Sequence, residues 1–490
     1  MSTSPAITGI EPGLLWQRFY EISQIPRPSK KEERITAHFE RLFDSAGVPY
    51  KKDKVGNLVA QVPASKGYEQ APVVILQGHS DMVCEQNRGT NHDFDKDPIE
   101  LLRQGEWIEA NGTTLGADNG IGVAAALAIM GDPSAVHGPL EILITVDEET
   151  GLTGANQISS NMLKGKYMLN LDSEEDGIFY IGCAGGVDTT GEFKILRTPV
   201  SGSDHSAMTL RVSGLKGGHS GGDIHLDRGN AIKLLARTLH ALAPLSPLLF
   251  GIQGGSKRNA IPREAEAKLL FSGKQLEKAR AVIADCERAF KNEYRATDPD
   301  LRLGIEAAKV PDTTYTAAFG KKLLRCLMAL PHGVIRMSAD IPGLVETSTN
   351  LATVVSDEQT VAIGTNQRSS VESAKQYIAQ SVGAALQLSG ARVRRSDGYP
   401  GWQPDTSSTL LRICKQVYNE KYGAEPEIKA IHAGLECGIL GGKYPGLDMI
   451  SFGPTITGAH SPDERVHIPA VKKFYELLKD VLRALANERA

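Results

Sequence analysis

Residues 71–79 read APVVILQGH, and this short stretch restricts the possible folds more than any other part of the chain. Its apolar residues follow one another without the alternation of a half-exposed strand, which is typical of a strand buried on both faces of a sheet. Helical and strand patterns alternate around it: GIGVAAALAIMGD predicts a helix, and PLEILITVDEE and KYMLNLDSEED predict further strands. Such alternation predicts an α/β fold with a central sheet flanked by helices.

The alternating pattern of helices and strands ends after GCAGG at 182–186 and returns from SDGYPGWQPD onward. Between these points, VDTTGEFKILRT and SAMTLRVSGLKG predict strands of an antiparallel sheet, and RGNAIKLLARTLHALA predicts an amphipathic helix. A chain of 490 residues is too long for one simple core. We therefore expect a catalytic domain formed by 1–186 and 399–490, interrupted by a smaller inserted α+β domain over 187–398.

Composition narrows the class of protein. The formal net charge is −4 and charged residues make up 23% of the chain, which gives no electrostatic case for nucleic acid or an anionic membrane as a partner. The sequence shows neither an apolar run of membrane-span length nor the pattern of a signal peptide in MSTSPAITGIEPG. Six scattered cysteines without a CxxC pair are typical of reduced thiols. We expect a cytoplasmic protein.

Five segments carry histidine or acidic residues where predicted strands end or helices begin: QGHSDM, LGADNG, VDEETG, NLDSEE and GAHSPDE. Each alone has an ordinary explanation, such as a hydrogen-bonded histidine, a helix N-cap or a solvated acidic face. Together they are harder to explain, because the carboxyl ends of the strands in an α/β sheet meet at one crevice. Carboxylates gathered there repel one another unless a cation lies among them, and imidazole with carboxylate suits zinc.

The number of candidate ligands favours a pair of ions. These candidates are His79, Asp118, Glu149, Asp172 and His460. With one shared carboxylate they give each ion three protein ligands and leave room for a bridging water. We expect the strand in VDEETG to continue through the acids, so that successive side chains point to opposite sides. Glu149 would then face the metal, and Glu148 would stand beside the water.

The chain resembles the M20 family of metallopeptidases, in its aminoacyl-histidine dipeptidase branch. The resemblance covers nearly the whole chain and is carried, in order, by QGHSDMV, HDFDKDPI, GTTLGADNGIG, VDEETG, LDSEEDG, GCAGG, GLKGGHSGGDIH, RNAIPRE, GYPGWQPD, HAGLECG and GPTITGAHSPDERVHI. It implies a zinc-peptidase-like catalytic domain, an inserted lid and dimerisation domain, and a homodimer. It also implies hydrolysis of unblocked dipeptides, preferentially Xaa-His, with two Zn²⁺ per subunit that Co²⁺ or Mn²⁺ could replace.

The resemblance also implies roles for individual residues. The metal ligands would be His79, Asp118, Glu149, Asp172 and His460. Asp118 would bridge the two ions and precede a cis bond to Asn119. Asp81 would orient the His79 imidazole. Glu148 would be the general base, which takes a proton from the water and hands it to the leaving amine.

Further residues would contact the substrate. His219, in KGGHSGGDIH, would stabilise the oxyanion, in cis or from the partner subunit, although the simpler interpretation of this segment is a flexible turn. Asn259 would be a companion polar contact. Arg368 or Arg336 would bind the C-terminal carboxylate of the substrate, and an ordinary surface arginine is the alternative for each. Glu436, in HAGLECG, would contact the substrate amine or imidazole.

Two alternatives stay open at this point. Another M20-type hydrolase, such as an aminoacylase, a deacetylase or a tripeptidase, would use the same chemistry with a different pocket. A non-catalytic peptide-binding protein on the same fold is disfavoured, because such relatives usually lose at least one ligand or the base.

Overall fold

The computed structural model describes residues 4–273 and 275–488. The α-helices of the described chain are α1 (Gly13–Ser23), α2 (Glu33–Ala46), α3 (Ala117–Gly131), α4 (Glu148–Gly151), α5 (Thr153–Gln157), α6 (Ala231–Ala241), α7 (Gln275–Glu293), α8 (Ala317–Ala329), α9 (Glu372–Leu388), α10 (Thr409–Tyr422), α11 (Glu436–Lys443) and α12 (Ile468–Asn487).

The strands are β1 (Tyr50–Lys52), β2 (Leu58–Val62), β3 (Val74–His79), β4 (Leu101–Gln104), β5 (Trp107–Ala110), β6 (Leu140–Thr145), β7 (Tyr167–Asn170), β8 (Ile178–Cys183), β9 (Gly185–Lys194), β10 (Arg197–Pro199), β11 (His205–Ser213), β12 (Gly218–His219), β13 (Leu248–Gly254), β14 (Ala260–Ile261), β15 (Ala265–Ser272), β16 (Arg302–Ala308), β17 (Thr313–Tyr315), β18 (Gly333–Met337), β19 (Val345–Ser356), β20 (Thr360–Ser369), β21 (Arg392–Arg395), β22 (Glu427–Ile431), β23 (Asp448–Ser451), β24 (Ile456–Thr457) and β25 (Arg465–His467).

The chain forms two compact units. Unit 1 comprises residues up to 182, residues 404–430 and those from 435 onward; unit 2 comprises 183–403 and 431–434. These boundaries lie a few residues from the predicted ones at 186/187 and 398/399. Residues 431–434 were expected in the catalytic domain but belong to unit 2. The reason is that they form hydrogen bonds with Ala184 and Ser348 of that unit.

Unit 1 is built on an eight-stranded mixed sheet in the order β1-β2-β6-β3-β7-β23-β8-β22. Its centre, β6-β3-β7-β23, is parallel, as expected for strands connected through helices. The run APVVILQGH supplies β3, all of whose residues are buried. Strands β4, β5, β24 and β25 form a separate four-stranded sheet. The prediction of an α/β fold with a mixed central sheet is confirmed.

Two glycines let helix α3 come close to β3 and to the residue that follows β7. A Cβ atom on Gly78 would lie 2.2 Å from Asn119 Oδ1, and one on Gly122 would lie 2.2 Å from the carbonyl oxygen of Leu171. Any larger residue at either position would push the helix away from the strand ends. The glycines therefore set how near the start of α3 comes to the carboxyl edge of the sheet.

Unit 2 is built on an antiparallel sheet in the order β16-β11-β15-β13-β19-β20-β9-β21, with β18 added beside β19. Helices α6, α7, α8 and α9 supply residues to a single apolar core with this sheet, including Leu235, Ile283, Leu323 and Val382. A two-stranded ribbon, β12 with β14, pairs His219 with Ala260.

Within the described part of the chain, no helix is both long enough and apolar enough to cross a bilayer.

Candidate metal centre

The predicted ligands of unit 1 meet at the carboxyl edge of the parallel strands. His79 is the last residue of β3, Glu148 and Glu149 follow β6, and Asp172 follows β7. Asp118 lies in the first turn of α3, and His460 lies in the loop after β24. The segments at the ends of β3, β6 and β7 come together because parallel strands present their carboxyl ends on one side of the sheet, and Asp118 and His460 join them there.

Asp118 lies between two histidines and presents one oxygen to each. Its Oδ1 is 3.1 Å from Nε2 of His79, and its Oδ2 is 3.0 Å from Nε2 of His460. Asp172 joins the His79 side, with Oδ1 3.4 Å from Nε2 of His79. Glu149 joins the His460 side, with Oε2 3.1 Å from Nε2 of His460. The result is two triads that share Asp118, each with ligand atoms within 4.8 Å of one another.

The residue after Asp118, Asn119, anchors the start of α3 through its side chain. The Asp118–Asn119 peptide bond is cis, which confirms the expectation. The Asn119 side chain accepts a hydrogen bond from the backbone N–H of His79 at 3.3 Å and donates one to the carbonyl oxygen of Leu171 at 2.7 Å. One amide therefore ties the start of α3 to the ends of β3 and β7.

The electrostatics of the site indicate excess negative charge. Burial raises the pKa of Glu148 well above its ordinary value and raises the pKa of Asp172 to about 7. Hydrogen bonds to Asp118 and Glu149 raise the pKa of His460 to about 11. A cluster of carboxylates without a cation produces this combination, in which the acids favour their neutral forms and the nearby histidine favours its charged form.

The donor set fits a pair of metal ions. Oε1 of Glu149 and Oδ1 of Asp172 are buried, and neither finds a hydrogen-bond partner in residues 4–273 and 275–488. Buried oxygens are normally satisfied, so such atoms need a partner of another kind. Two imidazole nitrogens and three carboxylates in two shared triads supply three protein ligands to each of two ions, which is the count expected of an open zinc site.

The expectation that the strand in VDEETG runs through the acids is wrong. Strand β6 ends at Thr145, Asp147 has a left-handed backbone with φ of 49°, and Glu148–Gly151 form the helical turn α4. Alternation along a strand therefore does not separate the two glutamates, and both have oxygens within 4.8 Å of His79 and of each other. What distinguishes them is His460, which contacts Glu149.

Asp81 is fully buried behind His79. Its Oδ1 lies 3.3 Å from Nδ1 of His79, though the pair is not aligned for a hydrogen bond. The same carboxylate accepts hydrogen bonds from the backbone N–H of Glu148 at 3.0 Å and from Ser29 Oγ at 2.8 Å. Burial disfavours its charge, but these groups and His79 together lower the pKa of Asp81 to about 2. Asp81 thus contacts both the imidazole and the turn that carries Glu148.

Asp147, the first of the three adjacent acids, is buried. Its carboxylate accepts hydrogen bonds from Thr150 Oγ1, at 2.5 Å, and from Thr153 Oγ1, and its backbone N–H donates to Glu32 Oε1 at 2.7 Å. These contacts fix the turn after β6. The three adjacent acids therefore differ in environment, and Asp147 is structural.

Two residues that the sequence analysis missed support Asp118. Glu464 is buried and its carboxylate accepts hydrogen bonds from four backbone N–H groups, those of residues 115, 116, 117 and 118, at 2.7–3.2 Å. Arg27 is also buried and donates to the carbonyl oxygens of Ser80, Asp81 and Gly116. The quoted segment GAHSPDE contains Glu464, but a carboxylate that caps a backbone turn has the same sequence signature as a solvated one.

Glu436 is buried near the predicted ligands: after burial itself, its charge is among those that raise the pKa of Glu148. Its side chain is 1% exposed, and Oε2 accepts hydrogen bonds from Gln77 Nε2 at 2.6 Å and Thr145 Oγ1 at 2.7 Å. These bonds tie the first turn of α11 to β3 and β6. The contact of Glu436 with a substrate amine or imidazole stays a prediction.

The predicted substrate-contacting residues of unit 2 occupy different environments. His219 and Asn259 are exposed and lie on the paired strands β12 and β14 or next to them. Arg368 is 5% exposed; its Nε donates to Asn366 Oδ1 at 3.0 Å and its Nη1 to Tyr399 Oη at 2.9 Å. Arg336 is exposed, with Nη1 3.6 Å from Glu346 Oε1. Of the two arginines, Arg368 is the one whose guanidinium is held in a fixed orientation.

The chain is similar to known peptidases along nearly its whole length. The model of peptidase family M20/M25/M40 matches residues 75–484. The chain is 41% identical over 480 residues to the cytosol non-specific dipeptidase of Escherichia coli strain K12, which covers 98% of this chain and 99% of that protein. The chain therefore belongs to this peptidase family.

Solved structures give the same result for the fold. The aminoacylhistidine dipeptidase of Vibrio alginolyticus superposes with a TM-score of 0.91 at 40% identity, over 98% of each chain. An aminopeptidase PepT from Bacillus cereus superposes with a TM-score of 0.62 at 17% identity, over 98% of this chain and 100% of that one. The second likeness concerns the fold alone.

Proposed function

We propose that this M20 peptidase is a dinuclear-zinc dipeptidase that hydrolyses unblocked dipeptides, with Xaa-His dipeptides preferred. The observation that carries the proposal is the position of Asp118, which presents one carboxylate oxygen to each of two histidines within two triads of ligand atoms. The names of the relatives from Escherichia coli and Vibrio alginolyticus, both dipeptidases, support the substrate class.

In this proposal His79, Asp118 and Asp172 hold one ion, and Asp118, Glu149 and His460 hold the other. Zinc bound there would polarise the scissile carbonyl and make water a competent nucleophile near neutral pH. Co²⁺ or Mn²⁺ could replace it, because imidazole and carboxylate ligands discriminate weakly among such ions.

Glu148 is the proposed general base. Its carboxyl oxygen accepts the proton of the attacking water and then donates that proton to the leaving amine, so that the residue ends the cycle in its starting state. Asp81 keeps this residue in place by accepting a hydrogen bond from its backbone N–H. The negative charge of Asp81, 3.3 Å from Nδ1 of His79, would favour the imidazole proton on that nitrogen and leave Nε2 to the metal.

Residues of unit 2 are proposed to bind the substrate. The buried guanidinium of Arg368 fits the C-terminal carboxylate better than the exposed Arg336, because a fixed planar donor pair favours bidentate recognition. His219 is the proposed donor to the tetrahedral oxyanion, and Asn259 a neighbouring polar contact. Unit 2 would thus act as the lid and dimerisation domain of a homodimer. The proposed location of the protein is the cytoplasm, and the name of the Escherichia coli relative, which states a cytosolic location for that protein, supports it.

A substrate panel with metal analysis tests the proposal. We expect about two zinc ions per chain by mass spectrometry, and hydrolysis of dipeptides but not of tripeptides or N-acetylated amino acids. Comparing Xaa-His with other C-terminal residues tests the histidine preference, and equal rates would favour the broad specificity named for the Escherichia coli relative. Hydrolysis of N-acetylated amino acids instead of dipeptides would reject the dipeptidase assignment.

The role of His219 needs a separate test. His219→Ala should lower kcat by about a hundredfold or more while changing KM much less, since a donor to the oxyanion acts mainly in the transition state. Mixing His219→Ala subunits with Glu148→Gln subunits then tests where the residue acts: recovered activity would show that His219 works on the partner subunit's site. An unchanged kcat would favour the simple turn.

A further inference from the structure

One buried carboxylate joins both ends of the glycine-rich loop 216–229 in unit 2. Asp298 has 0% exposure and lies between α7 and β16. Its Oδ1 accepts the backbone N–H of Lys216 at 2.8 Å, and its Oδ2 accepts the backbone N–H of Gly229 at 2.8 Å. The two residues bound by this carboxylate are the first and last of the loop that carries His219.

A second set of contacts orders the loop from within. Oδ2 of Asp223 accepts the backbone N–H of His219 at 2.8 Å, and Arg228 donates from Nη1 to the carbonyl oxygen of Gly217 at 2.6 Å. Arg228 also lies 3.6 Å from the Asp223 carboxylate. The loop is therefore folded back on itself between the two ends that Asp298 holds together.

The glycines of the loop are required by its close packing. Gly218 has φ of 142°, and a Cβ there would lie 2.6 Å from Asp223 Oδ2. A Cβ on Gly221 would lie 2.3 Å from the carbonyl oxygen of His432. These positions tolerate only glycine, which is difficult to reconcile with a merely flexible turn.

The folded loop determines which imidazole nitrogen of His219 carries the proton. Nδ1 accepts the backbone N–H groups of Gly221 at 3.2 Å and Gly222 at 3.1 Å. A nitrogen that accepts has its lone pair free, so in the neutral ring the proton must be on Nε2. Desolvation of the ring and the charge of Arg368 lower the pKa of His219, which favours the neutral ring. His219 is thereby a donor through Nε2.

We infer that Asp298 is a positioning residue for catalysis: by joining the ends of loop 216–229, it keeps Gly221 and Gly222 against Nδ1 of His219 and so maintains His219 as an Nε2–H donor. The inference rests on the proposed role of His219 at the oxyanion. Asp298 touches neither substrate nor metal in this scheme and acts only through the loop.

A double-mutant cycle tests this role. Asp298→Asn keeps the shape but replaces one acceptor by a donor, so one of the two ends should come free. We expect kcat to fall by about tenfold to a hundredfold with a smaller change in KM, as for a small misplacement of a catalytic group. In a His219→Ala background the same substitution should have almost no further effect on kcat. An equal decrease in both backgrounds would overturn the inference.

A spectroscopic measurement makes the test independent of activity. The ¹⁵N chemical shifts of the His219 ring, identified by their absence in His219→Gln, should show a proton on Nε2 in the unchanged protein. In Asp298→Asn they should show a mixture of both tautomers, and an unchanged single tautomer would contradict the inference. If His219→Ala leaves kcat unaltered, the oxyanion proposal fails, whereas this measurement still decides what Asp298 does.

Glu141 provides a matched control in unit 1. It is 3% exposed and its carboxylate accepts the backbone N–H groups of Lys164 at 2.8 Å and Gly165 at 3.0 Å. Glu141→Gln also replaces a buried carboxylate by an amide, but outside the loop, so it should leave both kcat and the His219 tautomer unchanged whatever its effect on the free energy of unfolding. If Asp298→Asn does not fold, Asp298→Glu retains the charge but displaces the carboxylate. That variant should show the same decrease in kcat and the same dependence on His219; an unchanged kcat there would overturn the inference.

Discussion

Two groups of acids lie close together in unit 1, and they differ in how their buried oxygens are satisfied. Glu32, Asp81 and Asp147 accept hydrogen bonds from backbone N–H and hydroxyl groups of the chain. In the second group, Oε1 of Glu149 and Oδ1 of Asp172 have no such partner within the described ranges of the chain. Both groups bring three carboxylate or imidazole atoms within 4.8 Å. Proximity alone therefore does not define a metal site, whereas unsatisfied oxygens beside imidazoles do.

Replacing one acid in each group is the most direct test of this difference. Asp118→Asn should remove both zinc ions and all measurable activity, because the bridging oxygens serve both triads. Asp147→Asn should leave the zinc content unchanged and lower the free energy of unfolding by about 1–3 kcal/mol, since Thr150 and Thr153 lose a charged acceptor. Metal analysis with urea unfolding measures both; loss of zinc from Asp147→Asn would show that the two groups form one site.

Glu148 lies at the border of the two groups, with its backbone bound to Asp81 and its carboxylate near Glu149. Glu148→Ala should lower kcat by about a hundredfold to ten-thousandfold, as expected for loss of a general base, with zinc content nearly intact. Glu148→Gln is the control that keeps the shape. Loss of bound metal in the alanine variant would reject the assignment of this residue as the base.

Glu464 is a third case: its oxygens are satisfied by hydrogen bonds, yet it holds the backbone around Asp118, a proposed metal ligand. Glu464→Gln should weaken metal binding and activity by about tenfold to a hundredfold, the usual cost of losing a group that holds a ligand in place. The physical reason is that an amide cannot accept all four backbone N–H groups around Asp118. Glu141→Gln is the control and should affect stability only. Equal zinc affinity in the two variants would contradict this prediction.

His432 is a buried histidine that belongs to neither group of acids. It allows the effect of low pH on the free energy of unfolding to be measured separately from loss of metal. Burial and the charge of Arg368, with smaller contributions from His219 and His225, lower the pKa of His432 to about 3. The unfolded chain then binds the extra proton first as pH falls below about 6.5, so stability decreases between about pH 6.5 and 3.

At pH 5 this single group should cost about 2 kcal/mol relative to pH 7. His432→Gln cannot titrate, so it should lose less stability than the unchanged protein over the same interval. The measurement is urea unfolding of the metal-free proteins at both pH values. Identical pH dependence would show that His432 is protonated as readily in the folded state as in the unfolded one.

Much of the fold of unit 1 could be predicted from the sequence because its signals are local. The continuous apolar run of β3, the small-residue helix α3 and the glycine after α2 each specify their own element; Gly47 has φ of 65°, as a helix C-cap requires. The strand through VDEETG was mispredicted because strand-forming residues before Thr145 say nothing about where the chain turns. That end is fixed by Asp147 and its bonds to two threonines.

The sequence by itself predicted the residues of the candidate metal centre, since His79, Glu149 and Asp172 lie at or shortly after the ends of β3, β6 and β7, and parallel strands end on one side. Only the tertiary structure decided what the other carboxylates do. Glu464, Glu436 and Asp298 bind partners that lie 69 or more residues away in sequence, and a buried acid has the same local pattern as a solvated one. Burial is a property of the assembled chain, and it converts an ordinary acid into one that must find a donor.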